Sequence, residues 1–188
     1  MTQCAWVTED PIYIEYHDNE WGKAVYETQK LFEMLCLEGQ QAGLSWITVL
    51  KKRQHYRHCF HQFIPEKIAQ MTPQQIDELM EDKGLIRHRL KLNAIVTNAQ
   101  ALVTMEQKGE SFSQFIWQFV NNQPLINSPD TPEQIPVNTP VSDLMSRELK
   151  KRGFKFVGTT ICYAFMQACG LVNDHLLNCP CHPHTQSI

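Results

Sequence analysis

Thr72-Pro73-Gln74-Gln75-Ile76-Asp77-Glu78-Leu79-Met80-Glu81-Asp82-Lys83-Gly84-Leu85-Ile86-Arg87-His88-Arg89-Leu90-Lys91 reads as a helix, a tight turn and the start of a second helix. Thr72 suits an N-cap, Pro73 the first helical position, and Gln75 completes a capping box. Ile76, Leu79 and Met80 share one face, and Gly84 closes the helix in the C′ manner. After Leu85-Ile86-Arg87 a second helix runs from about His88 to Glu106, with Leu92, Ile95, Ala99 and Leu102 on one stripe. A hairpin at about 73–106 has a chemical use, because a helix N-terminus presents unpaired N–H groups that can hold a phosphate without reading sequence. Gly84, Ile86, Arg87, Arg89 and Lys91 are the candidate DNA contacts, beside His88. The alternative is a plain αα-hairpin that binds nothing.

Upstream lies Leu37-Glu38-Gly39-Gln40-Gln41-Ala42-Gly43-Leu44-Ser45-Trp46, between helical patterns at roughly 29–38 and 45–57. Gly39 and Gly43 read as breaks, since glycine inside a helix costs about 1 kcal/mol relative to alanine. Ser45 suits the next N-cap. The junction gathers a carboxylate, two glutamines and an indole, which suit a flat, polar, cationic ligand such as a nucleobase. The alternative is that Trp46 and Leu44 are core and Glu38 is solvated. Residues 1–28 show little periodicity but hold Tyr13, Tyr16, His17, Asp18, Asn19, Glu20, Trp21 and Gly22, which suggests a site wall.

Downstream, Ser111 and Gln114 form another capping box before Phe112, Phe115, Ile116 and Phe119. Residues 121–140, rich in Asn and Pro, read as a long ordered loop or a lobe connection. Helices follow at about 142–152, closed by Gly153, and about 159–169, capped by Thr159 and closed by Gly170. The tail from Pro180 to Ile188 reads as disordered. No alternating strand pattern exceeds four residues, so the expectation is an all-α fold filling 1–188 as a single helical domain.

The 188 residues are 43% hydrophobic with a net charge of −3, so a core is assured and a generally basic nucleic-acid binder is not. Basic residues do cluster locally, at Lys51-Lys52-Arg53, Arg87-His88-Arg89 and Lys150-Lys151-Arg152. No apolar run approaches a membrane span, and the start resembles no signal peptide, so a cytoplasmic protein is expected. Its seven cysteines then serve as thiols or metal ligands. His175 and Cys179, at i, i+4, could chelate from one helical turn. With Cys4 and His17 they would complete a tetrahedral zinc set, closed and therefore structural, joining the termini. Cys181, His182 and His184 compete for that role. No H-E-x-x-H, G-x-S-x-G, P-loop or C-x-x-C is present.

From Cys4 to about Cys179 the chain resembles the bacterial DNA-3-methyladenine glycosylase I family, within the helix-hairpin-helix glycosylase superfamily. The motifs carrying the likeness are Tyr16-His17-Asp18-Asn19-Glu20-Trp21-Gly22, the stretch Leu37 to Trp46, and Lys151-Arg152-Gly153-Phe154-Lys155-Phe156-Val157-Gly158. The resemblance implies a two-lobed helical bundle and a monofunctional enzyme of base excision repair. Its substrate would be double-stranded alkylated DNA, from which it releases free 3-methyladenine. It puts Glu38, Tyr16 and Trp46 in the base pocket with Tyr13 adjacent, one structural zinc on Cys4, His17, His175 and Cys179, and the hairpin at about Gly84 to Lys91. Leu44 is the candidate to fill the gap left by a flipped base, and a monomer is expected. Many superfamily members use an aspartate beyond the hairpin, yet none occurs here between Asp82 and Asp130. That omission is chemically reasonable, because N3 methylation makes adenine a cation and hence a good leaving group. A zinc-held DNA-binding module and a zinc hydrolase are the rival readings.

Overall fold

A computed structural model describes residues 4–185. Its core is built on α2 (Thr28–Gln41), in which every residue from Leu31 to Gln40 is buried. Burying a leucine or phenylalanine side chain contributes about 1.5–3 kcal/mol, and Leu31, Phe32, Leu35 and Leu37 are all fully enclosed. Around α2 pack α3 (Trp46–Cys59), α6 (Arg89–Gln107), α7 (Phe112–Trp117) and α9 (Thr159–Ala168). The short α4 (Pro65–Ile68) lies on α6, and α8 (Pro140–Lys151) on α9.

The helix that residues 1–28 conceal is α1, Pro11–Asn19, capped by Asp10 through the Ile12 N–H. Its buried face is Tyr13, Tyr16 and His17, so no aliphatic stripe advertises it. Gly39 does not break α2. A Cβ there would meet Phe156 Cβ at 3.2 Å and its carbonyl at 3.3 Å, so glycine permits a close approach of chain to helix. Gly43, at φ +79°, makes the actual turn. Ser45 holds the N-cap position of α3, but its hydroxyl bonds the Thr48 hydroxyl at 2.8 Å rather than a backbone N–H.

The hairpin helices are α5 (Pro73–Met80) and α6, and the Thr72–Gln75 capping box forms as expected. Ser111 caps Gln114 N–H at 3.4 Å, half of the box read there. Thr139 caps α8 and Gly158, not Thr159, occupies the N-cap of α9. The 121–140 segment is an ordered loop, anchored by β1 (Leu125–Ile126) paired in parallel with β2 (Val172–Asn173). His175 and Cys179 lie in an irregular turn after β2, not on a helix.

The tail is ordered as far as it is described. His182 is fully buried and bonds the Asn127 carbonyl at 2.9 Å, and the Thr185 hydroxyl donates to the Cys179 carbonyl at 2.7 Å. The expectation of disorder therefore fails over 180–185, and residues 186–188 lie outside the described residues. Among the described residues no helix is long and apolar enough to cross a membrane.

Candidate base pocket and metal centre

A cavity of about 380 Å³ opens where α1, α2, α3 and α9 converge. Tyr13 and Tyr16 enter from α1, Glu38 from α2 and Trp46 from the first turn of α3. The Tyr16 and Trp46 rings lie 5.4 Å apart, inclined at 49°. The pocket residues expected from the sequence are thus brought together.

Two polar groups in this apolar setting lack protein partners. The Trp46 indole N–H is buried with no hydrogen bond. Leaving such a donor unsatisfied costs about 1–3 kcal/mol, which calls for an explanation. No group among the described residues hydrogen-bonds the Glu38 carboxyl, and burial alone pushes its pKa up to about 8. Burial thus favours the protonated form of Glu38 in the absence of a neighbouring positive charge. The Tyr16 hydroxyl is pushed well up by burial first and by Glu38 second.

Sequence reasoning missed several walls of the cavity. Trp6 packs on Tyr13 at 5.0 Å and on Trp21 at 5.1 Å, in a segment with no periodicity to mark it. Pro132, Ile135 and Val137 cover the opposite side, brought there by the β1–β2 pairing. Tyr163 and Gln167 of α9 complete the lining, and both donate to Asp174 Oδ2, at 2.7 Å and 2.8 Å. Leu44 is 42% exposed and lines a smaller cavity that shares Glu38 and Gln41 with the first, so it stands at the pocket's flank.

Behind the pocket, Cys4, His17, His175 and Cys179 are all buried, with their ligand atoms within 4.8 Å of one another. Cys4 Sγ to His175 Nδ1 is 3.6 Å, Cys179 Sγ to His175 Nδ1 is 3.6 Å and Cys179 Sγ to His17 Nε2 is 3.5 Å. Tetrahedral zinc with ordinary Zn–S and Zn–N bonds sets S···N edges of about 3.6 Å, so the donors sit at the spacing a tetrahedral ion requires. Their outer nitrogens are also fixed: His175 Nε2 meets the Trp21 carbonyl at 3.0 Å and His17 Nδ1 meets Asp18 Oδ1 at 2.6 Å. Such partners aim the other nitrogen at a metal. Burial lowers the His175 pKa to about 4, which keeps the imidazole neutral and able to ligate. Of the competitors, Cys181 lies outside the set near His17 Nδ1 and Asp18, and His182 faces Asn127.

The hairpin departs from the expected phosphate site. Gly84 N–H donates to Asp82 Oδ1 at 2.7 Å and Ile86 N–H to the Tyr56 hydroxyl at 3.1 Å, so neither is open to a phosphate. Lys91 turns inward, its ammonium donating to the carbonyls of Gln40 at 2.9 Å and Ala42 at 2.5 Å. A cation at the carbonyl end of α2 is favourable there, which makes Lys91 a brace. Arg89 pairs with Asp77 in an exposed ion pair. The N–H groups of Arg87, Arg89 and Leu90 carry no hydrogen bond within the described residues.

Comparison with known proteins gives this geometry its class. A family profile described as methyladenine glycosylase matches residues 6–182, so the chain belongs to that family. Within it, the chain is 61% identical to DNA-3-methyladenine glycosylase 1 of Escherichia coli (strain K12), over 97% of this chain and 98% of that one. It superposes on a crystal structure of 3-methyladenine DNA glycosylase I with a TM-score of 0.96 at 60% identity, covering 97% of this chain and 100% of that one. A second solved structure, a variant of the same enzyme type in complex with 3-methyladenine, matches at 43% identity with a TM-score of 0.94, covering 97% and 98% of the two chains.

Proposed function

We infer that the protein is a monofunctional DNA glycosylase that flips 3-methyladenine out of alkylated double-stranded DNA and cleaves its glycosidic bond with water. The observation that carries the reading is the pairing of an unpartnered buried indole N–H with an unpartnered buried carboxyl on one aromatic cavity. A flat base with donors and acceptors on its edge satisfies both. In the reaction, water oxygen bonds the sugar carbon as the carbon–nitrogen bond breaks. The bonding pair goes to the base, neutralising its charge, and the attacking water releases its proton to bulk solvent.

Glu38 supplies selectivity. In the empty pocket it is mostly protonated at neutral pH. A cationic base entering beside it reverses that balance, because an adjacent opposite charge favours the ionised form. The carboxylate then accepts from the exocyclic amino group, and the attraction is strengthened where water is excluded. Unmodified adenine brings no charge and bears the cost of flipping without that return. Trp46 and Tyr16 hold the ring, Tyr13 backs them, and Leu44 enters the vacated stack. The free base is the product.

Cys4, His17, His175 and Cys179 would hold one structural zinc, which supplies a cross-link between the two ends of the chain and leaves no position open for water. The two-lobed helix-hairpin-helix arrangement would lay DNA across Arg87, Arg89 and Leu90, with Gly84 and Ile86 shaping the turn. We place the protein in the cytoplasm as a monomer; its described cysteines, Cys4 through Cys181, are all unpaired thiols, as a reducing compartment requires. Incubating the protein with methylated duplex DNA and assaying free base tests the reading. Release of 3-methyladenine supports it, and intact glycosidic bonds with folded, metal-replete protein would refute it.

A further inference from the structure

A second group of metal-ligating side chains lies outside the pocket and the terminal cluster. His55 and Cys59 stand four residues apart on one face of α3, and Asp82 reaches them from the turn after α5. Their ligand atoms lie within 4.8 Å of one another. His55 Nε2 is 2.8 Å from Asp82 Oδ2, and the Cys59 thiol donates to the same oxygen at 3.7 Å.

This trio is held in place from outside. Asp82 Oδ1 accepts the Gly84 N–H at 2.7 Å, which leaves Oδ2 facing the other two donors. His55 occupies space that only glycine at position 84 leaves free, since a Cβ there would stand 2.3 Å from His55 Cδ2. The ligands are thus oriented by the backbone of the turn itself, the kind of support that metal ligands ordinarily need. The site is also reachable, with the His55 side chain 41% and that of Asp82 32% exposed.

We propose that His55, Cys59 and Asp82 form a second divalent transition-metal site that clamps the hairpin turn to α3. An imidazole, a thiolate and a carboxylate suit zinc, and three protein ligands leave one coordination position for water. On binding, Cys59 releases its proton to solvent and His55 ligates through Nε2. Thiolate and carboxylate together cancel the ion's two charges. The His55–Asp82 separation widens by about half an ångström to reach a tetrahedral edge, and the Cys59–Asp82 separation already suits one. The site is independent of the base-excision reading.

The experiment loads purified protein with zinc, removes excess, and compares wild type with His55→Ala and Cys59→Ser. Elemental analysis after dialysis against micromolar free zinc should find one equivalent more on wild type than on either variant. Cobalt added instead to protein that holds a single equivalent of zinc, at the terminal cluster, should produce a thiolate-to-cobalt absorption band in wild type that Cys59→Ser lacks. Equal metal content in all three proteins overturns the proposal. So does a cobalt band of equal strength in wild type and Cys59→Ser, or none in wild type. Release of base from methylated DNA by both variants at the wild-type level would show that they are folded.

Discussion

The base pocket and the terminal Cys/His cluster lie back to back, sharing α1, and they treat polar groups in opposite ways. In the cluster each imidazole has one nitrogen anchored, on Asp18 or on the Trp21 carbonyl, and the other turned toward thiols. In the pocket the Trp46 N–H and the Glu38 carboxyl are buried and have no hydrogen-bond partner among the described residues. One region needs only a small ion to close on itself. The other is left incomplete, and its unmet bonds are available to a ligand that comes and goes. Trp6 joins them, packing on Tyr13 on one side and on His17, at 5.4 Å, on the other.

The largest effect should come from opening the closed region. Cys179→Ser or His17→Ala removes a donor from the cluster in which the proposed metal would tie both ends of the chain, and loss of a structural metal belongs among the few changes exceeding about 4 kcal/mol. We expect a large drop in thermal midpoint, with chelation of wild type giving a drop of the same sign. Base release measured well below that midpoint should persist. If midpoint and metal content match wild type, the two regions do not differ in the way described.

Glu38→Gln tests the incomplete region through pH. The unfolded carboxyl titrates near 4.5 and the folded one near 8, so between these values the native state holds a proton that the unfolded state has lost. Wild-type stability therefore falls as pH rises from about 4.5 to 8 and levels off above. Glutamine carries no such slope. The variant should gain on wild type across that window, by a few kcal/mol at the upper end, while losing affinity for 3-methyladenine and some excision rate. A stability difference that is flat in pH would mean that Glu38 is solvated and not part of the pocket.

How far the two regions were legible depends on distance along the chain. Glu38, Gln41 and Trp46 fall within nine residues, and short-range apolar patterning placed their helices. The four metal donors were readable as a donor set. Trp6 and Pro132 to Val137 were not legible, because only the tertiary fold and a two-residue strand pair carry them to the pocket. The Gly39 misreading shows propensity overridden: the roughly 1 kcal/mol against glycine in a helix did not end α2, and Phe156 packs so close there that a Cβ would stand 3.2 Å from its own Cβ. Lys91 misled because a lysine at a helix start looks like a phosphate ligand until its reach to the Gln40 and Ala42 carbonyls is seen.

A smaller effect separates stacking from hydrogen bonding inside the pocket. Trp46→Phe keeps an aromatic face and removes only the unpartnered N–H along with some ring area. If that donor meets an acceptor on the bound base, binding of 3-methyladenine should weaken by about 1 kcal/mol, roughly fivefold. Metal content should not change, since Trp46 does not reach the cluster. Affinity equal to wild type would show that the indole N–H stays orphaned with the ligand bound.

The hairpin extends the comparison to the surface. Most of its turn resembles the closed region: the Gly84, Leu85, Ile86 and His88 N–H groups are bonded internally, and the Lys91 ammonium is spent on two carbonyls. What is left over is the backbone at Arg87, Arg89 and Leu90, with the Arg87 side chain beside it. A side chain that neutralises one phosphate contributes about one unit to the dependence of log affinity on log salt. Arg87→Ala should therefore lower that slope by about 1 while weakening binding equally across DNA sequences. Lys91→Met should do the reverse, leaving the slope unchanged and destabilising the fold by about 1–3 kcal/mol through the carbonyls it strands. A reduced slope for Lys91→Met would place its ammonium on DNA after all, and would require the α2 carbonyl end to release it when DNA binds.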